Sequence, residues 1–192
     1  MKSRLSKVIL LSVFFYVIFL SSRSLSAEQL ISVNDAIKKI FVSFDAFEEQ
    51  QFAFSKDQIA AIEKKADILF VDHHSPFLKV YTVKAARGII GYAFEDTVNG
   101  KWGPIHYLVG VDPSGIILDV VILDYKEIRG KPISKKRFLK QYKGKSVNDA
   151  VALRKDIDGI TGATISSRSL TDGVRKILKG YQLLKDEFKF DM

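Results

Sequence analysis

The spacing of apolar residues changes along the chain, and each change marks an element. Residues 8–20 form a largely apolar run behind Lys2, Arg4 and Lys7. That is the layout of an export leader, and it is short for a membrane span of about 20 residues. From 31 to 67 the spacing reads as helical. Ser32 or Asn34 is placed to cap a helix through Ile37, Ile40 and Phe41, and Ser55 with Gln58 makes a capping-box pattern ahead of Ile59 and Ile62. Phe44, Phe47, Phe52 and Phe54 lie between these helices as an aromatic patch suited to core packing. The pattern then shortens. Runs rich in Val, Ile, Tyr and Phe at 68–71, 77–84, 88–94, 106–111 and 116–123 read as strands. Turn signals separate them: Ser75-Pro76, Arg87-Gly88, Asn99-Gly100 and Asp112-Pro113-Ser114-Gly115. These gaps leave no room for crossover helices, so the sheet is expected to be mostly antiparallel. A helix is expected to begin in 138–144, and Leu170, Val174, Ile177, Leu178 and Tyr181 recur on one face of a final amphipathic helix. The elements together predict an α+β fold, a mostly antiparallel sheet with N-terminal helices and a C-terminal amphipathic helix.

Composition narrows the chemistry. The formal charge is +8, but residues 1–26 hold Lys2, Arg4, Lys7 and Arg23 and no acid, which leaves +4 for the rest. Lys135-Lys136-Arg137 is the one tight basic cluster, without aromatic interleaving, and nucleic acid is not an expected partner. Small residues around Ser26 and Ala27 suit leader cleavage, with an uncleaved signal anchor as the alternative. Either way the chain is expected to be exported, as a periplasmic or extracytoplasmic membrane-associated protein. There is no cysteine. That excludes a disulfide, a cysteine-ligated iron–sulfur cluster, a c-type haem attachment and a lipoprotein anchor. Electrons, if the protein carries any, must reside on an organic cofactor. His73, His74 and His106 lack the spacing of a metal site, and none is expected.

The richest local chemistry lies in Asp156-Ile-Asp-Gly-Ile-Thr-Gly-Ala-Thr-Ile-Ser-Ser-Arg-Ser-Leu170, directly before the final helix. A turn of glycines and hydroxyls entering a helix exposes backbone N–H groups at the positive end of the helix dipole, which suits a phosphate. The plain alternative is capping, because Ser and Thr are common N-caps. Within this stretch, Asp158-x-x-Thr161-Gly162-Ala163-Thr164-x-Ser166 resembles the flavinylation motif of the FMN-binding domain family. That family includes the G subunit of Rnf-type electron-transport complexes and the C subunit of sodium-pumping NADH:quinone reductase. The resemblance implies FMN joined through its phosphate to the last hydroxyl of the motif, here Ser166, by an exported flavin transferase of the ApbE type. Thr161, Gly162, Ala163 and Thr164 would then cradle the phosphate. Asp158 stays open as either a turn former through its side-chain oxygens or a metal or recognition element for the transferase.

A second segment, Asp124-Tyr-Lys-Glu-Ile-Arg-Gly130, reads plainly as a strand-ending turn. It also resembles the family's flavin-facing motif through Tyr125, Glu127 and Gly130, with Ile128 and Arg129 where the common form has Thr-Pro. The resemblance covers roughly residues 80 to 180, and with the patterns before it the chain is expected to divide into a signal peptide or anchor at 1–26, an N-terminal helical region at 27–75 and an FMN-binding domain at 76–185. It implies a covalent flavoprotein that relays electrons between redox partner proteins, some of them membrane-bound, with no catalytic residues of its own. The alternatives are an exported flavin-dependent reductase of a small acceptor and a binding module of the same fold that never receives FMN. No nicotinamide-binding glycine signature, nucleophile elbow or zinc pair accompanies the motif.

Overall fold

A computed structural model describes residues 28–69, 76–125 and 132–185. Its centre is an antiparallel sheet of six strands in the order β1-β6-β5-β4-β3-β2. The strands are β1 (Glu28–Gln29), β2 (Ala46–Ala53), β3 (Phe77–Ala85), β4 (Gly88–Asn99), β5 (Pro104–Val111) and β6 (Ile117–Tyr125). Among the described residues four α-helices flank them: α1 (Val33–Ile40), α2 (Lys56–Ala66), α3 (Lys136–Leu139) and α4 (Thr164–Leu184). The α+β class and the antiparallel pairing agree with the sequence reading. So do both N-terminal helix starts. The Ser32 hydroxyl accepts the Asp35 N–H, and Ser55 and Gln58 complete their capping box from both sides. At 112–115 the Gly115 N–H closes the turn onto the Asp112 carbonyl at 2.9 Å.

Two expectations fail. The stretch from 31 to 67 is not wholly helical, because 46–53 forms the edge strand β2. Its sequence, with Glu48-Glu49-Gln50-Gln51 at the centre, favours helix locally and lacks period-two alternation. Pairing with β3 decides its conformation, from Ala46 opposite Lys84 to Ala53 opposite Phe77. The acids then suit an exposed edge, where Glu48 meets Lys84 at 2.8 Å. Ile68 and Leu69 are also outside any strand, since Asp67 ends α2 in the left-handed region. Phe70, Val71, His73 and His74 lie outside the described residues, as does the apolar run at 8–20. Among the described residues no helix is long and apolar enough to cross a membrane.

The sheet buries both faces unequally. On one, α2 and α4 cover Leu78, Val80, Phe94, Tyr107, Val109 and Val120. Leu170, Val174, Ile177, Leu178 and Tyr181 of α4 are all buried there, as their spacing requires. Gly173 lets this helix approach closely, since a Cβ at that position would stand 2.3 Å from the Tyr107 hydroxyl and 2.7 Å from Val98 Cγ1. On the other face the shorter α1 packs over Val83, Ala93, Leu108 and Val121.

Candidate functional site

The site begins at the turn that feeds α4. The Ala163 N–H bonds to the Ile160 carbonyl at 2.9 Å, and Gly162 takes φ +83° at the third position of that turn. Nothing lies within 4 Å of where its Cβ would be. Glycine is needed there for its backbone angle, not for space. The first intrahelical bond runs from Ser167 N–H to Ala163 C=O at 2.9 Å. The N–H groups of Thr164, Ile165 and Ser166 therefore precede the helical ladder.

Capping does not explain the hydroxyls. The N-cap is Ala163, with no side-chain cap bond. Ser167 Oγ instead accepts the Ile160 N–H at 3.2 Å and so ties the turn to the helix. Thr171 donates to the Ser167 carbonyl at 2.7 Å and pairs with the Tyr142 hydroxyl at 2.8 Å. Ser166 Oγ accepts the Lys101 N–H at 3.2 Å, from the hairpin turn between β4 and β5. Ser166 is 3% exposed beneath that turn, whereas Thr161, Thr164 and Ile165 are exposed. Lys101 and Trp102 form the outer surface of the cover, with the Lys101 ammonium 5.0 Å from the indole centroid.

The approach to the turn is held by groups that the sequence reading did not single out. Asp156 Oδ2 accepts the Val151 N–H at 3.0 Å and the Lys145 ammonium at 2.9 Å, and Oδ1 accepts the Ala152 N–H at 2.9 Å. Burial alone would raise the Asp156 carboxyl, but these donors hold it below its ordinary value. In the same loop Val151 stands at φ +42°, an angle that a β-branched residue in particular resists, and Arg154 stands at φ +65° with its N–H on the Ile157 carbonyl at 3.0 Å. Arg175, one turn beyond Thr171 on α4, donates to the Val151 carbonyl at 2.7 Å. Turn formation thus falls to Asp156, two residues before the acid that the family motif selects. Asp158 is exposed, and it is its backbone that is held: Gln141 accepts its N–H at 2.8 Å and donates to its carbonyl at 3.1 Å. None of Asp156, Gln141 or Lys101 carries a local sequence signal, because each acts across a fold-dependent contact.

Of the other motif residues, Thr161, Gly162, Ala163, Thr164 and Ser166 come together at the helix start. Tyr125 does not join them through its side chain, which is 2% exposed within the main core. Glu127 and Gly130 lie outside the described residues. A cleft of about 490 Å³ opens beside the turn, lined by Pro132, Phe138, Gln141, Asp158, Gly159 and Ile160, with Lys135 and Arg137 at its margin.

A second polar cluster sits on the opposite sheet face. His106 Nε2 lies 2.8 Å from Glu95 and its Nδ1 3.4 Å from Asp124. The bond to Glu95 raises the imidazole's pKa against the opposing effect of burial. Burial would raise Glu95, but the His106 and Tyr81 hydrogen bonds and the Lys79 charge bring it down to about 2. Among the described residues no cluster is suited to a metal.

A helix entry with free N–H groups, an angle-demanding glycine and a sequestered hydroxyl is the equipment of a phosphate-holding domain. Residues 100–179 match the model of the FMN-binding domain family. The chain is 27% identical over 133 residues to the G subunit of the Na(+)-translocating ferredoxin:NAD(+) oxidoreductase complex of Acetobacterium woodii, covering 64% of each chain. It is 33% identical over 107 residues to the G subunit of the proton-translocating ferredoxin:NAD(+) oxidoreductase complex of Clostridium ljungdahlii, over 52% of this chain and 57% of that one. In fold it is similar to Shewanella oneidensis NqrC, with a TM-score of 0.52 at 17% identity, over 79% of this chain and 87% of that one. The chain thus spans between about half and two thirds of the length of the curated relatives it matches.

The residues present fit an FMN phosphate. The start of α4 offers unbonded N–H groups, the space at Gly162 is open, and the exposed Thr161 and Thr164 hydroxyls stand beside it.

Proposed function

We propose that this chain is an exported covalent flavoprotein that relays electrons between redox partner proteins, with FMN held as a phosphoester on Ser166. The observation that carries the reading is the state of the Ser166 hydroxyl. It accepts a backbone N–H, caps nothing, and lies one residue from exposed Ile165 at the start of α4. Ser167 and Thr171 instead tie the helix to its own turn and to Tyr142.

FMN supplies one- and two-electron chemistry, so it can join donors and acceptors of different stoichiometry. The chain's own residues do the holding. The N–H groups of Thr164 and Ile165 would hold the phosphate, at a helix start whose dipole favours negative charge. Gly162 lets the backbone turn there, and the Thr161 and Thr164 hydroxyls are available donors. The Asp156 and Gln141 contacts fix the loop that leads in. Ser166 acts as a tether and loses its hydroxyl proton when the ester forms. Asp158 places an anion near a phosphodiester, so its use falls to recognition by the flavin transferase. Access to Ser166 requires the turn at 100–103, bonded to it through the Lys101 N–H, to lift. A covalent tether also suits the proposed location outside the cytoplasm, where a dissociated flavin would diffuse away.

The test is intact mass after co-expression with a flavin transferase and export. The full chain should gain the mass of FMN less water, and Ser166→Ala should not. An unmodified wild-type chain under those conditions refutes the reading and leaves a binding module of the same fold.

A further inference from the structure

The segment 135–143 presents a surface that the flavin reading does not use. Phe138, Leu139 and Tyr142 face the core. Every exposed position in that segment is basic: Lys135, Lys136, Arg137, Lys140 and Lys143. Among the described residues none of the five forms an ion pair. Scattered lysines of this kind usually serve solubility, but here one sign is concentrated on one short helix and the turn after it. The concentration also has a place. Lys135 and Arg137 border the cleft of about 490 Å³ whose floor includes Pro132, Phe138 and Ile160. Ile160 opens the attachment turn, and its N–H is bonded to Ser167, next to Ser166. The double hydrogen bond between Gln141 and the Asp158 backbone fastens the basic segment to the same loop. Asp158 contributes one opposing charge within the cleft, which leaves the surface net positive.

We propose that this basic cleft is the docking surface for an acidic electron-transfer protein, which places a carboxylate-bearing segment beside the attachment turn. The inference rests on the flavin reading for its purpose, though not for its geometry. A concave, partly apolar floor under a basic rim fits a protruding protein segment. A bilayer presents a plane, which would meet the rim and leave the floor empty. Electrostatic steering by the five cations would speed encounter with an acidic carrier and would weaken with salt.

Two measurements on the exported full chain separate the docking claim from the flavin claim. In the first, dithionite-reduced protein is mixed in stopped flow with an acidic cytochrome c and, separately, with a basic one. Transfer to the acidic cytochrome should fall at least about tenfold between about 20 and 300 mM NaCl. The triple variant Lys135→Glu/Arg137→Glu/Lys140→Glu should slow it by a similar factor at low salt while speeding transfer to the basic one. In the second, Ser166→Ala, which carries no flavin in this reading, is titrated with oxidised acidic cytochrome c by calorimetry. Binding should persist and should vanish in the charge-reversed version. Retained binding without electron transfer in the wild type would sink the flavin reading and leave docking standing. A transfer rate flat in salt overturns the docking proposal even if the variant fails to fold. Binding to phosphatidylglycerol vesicles that the triple variant loses, with no cytochrome binding, overturns it in favour of a membrane surface.

Discussion

Replacing Lys176 with Met removes the counter-charge from a carboxylate that water does not reach. Lys176 Nζ lies 2.7 Å from Asp96 Oδ2, and both side chains are 2% exposed. The Tyr107 hydroxyl donates to the same oxygen at 2.7 Å. Burial pushes the ammonium below its ordinary pKa, and the Asp96 charge opposes that push. Breaking one side of such a pair costs ~3–5 kcal/mol, because the remaining charge stays buried. Lys176→Met should therefore cost about that much. Adding Asp96→Asn removes the stranded charge and keeps an acceptor for Tyr107, so the double variant should cost only ~1–2 kcal/mol. Urea denaturation of the chain reads both. With a slope of about 2 kcal/mol per molar, the midpoint should fall by ~1.5–2.5 M in the single variant and by ~0.5–1 M in the double. A single-variant shift below about 0.5 M, or a double variant less stable than the single one, would refute this reasoning. The pair matters to the site because it fixes α4 against β4 ten residues beyond Ser166.

Gly173→Ala sets two known effects against each other. Helix propensity favours Ala by ~1 kcal/mol, while overpacking costs ~1–3 kcal/mol. With the new Cβ placed 2.3 Å from the Tyr107 hydroxyl, the clash should win and lower Tm by ~2–8 °C in calorimetry; a raised Tm would show that the helix has room to move. The pH dependence follows from His106. Its raised pKa gives stability that is fully present below the ordinary imidazole value and is lost as pH rises through the folded value. The stability gap between wild type and His106→Gln should thus shrink above about pH 6.5, and a gap constant across neutral pH would contradict the ion-paired imidazolium. Glu95 behaves in the opposite sense. Its lowered pKa, about 2, gives stability that is present above the ordinary glutamate value of 4.5 and lost as pH falls toward about 2. Glu95→Gln should therefore flatten the acid limb of the stability curve, and an unchanged acid limb would place that loss elsewhere.

The parts of this protein legible in its sequence are those decided locally. Ser55 and Gln58 can be read as a capping box because both partners lie within one turn, and α4 shows its apolar face at helical spacing. The strands at 77–85, 88–99, 104–111 and 117–125 announce themselves by β-branched and aromatic runs between turns. β2 is illegible because Glu48-Glu49-Gln50-Gln51 becomes a strand only through its pairing with β3. The turn ahead of α4 shows the same division. Thr161 to Ser166 form a contiguous pattern, whereas the groups that position them do not. Lys101 reaches Ser166 across a hairpin, Gln141 reaches Asp158 from another helix, and Asp156 bonds backward to Val151 and Ala152. Tyr125 shows the limit of motif reading, because its place in the pattern does not reveal that its side chain turns into the core.

The identity of the modified hydroxyl bears most directly on the central claim. Exposure alone would favour Thr164, which is exposed, over Ser166 at 3%. Protease digestion of the exported chain, made alongside a flavin transferase, followed by fragment-ion mapping of the flavin-bearing peptide, decides between them. The account requires the phosphoester on Ser166 alone. Flavin on Thr164, Ser167 or Ser169, or no flavin peptide at all, would contradict it.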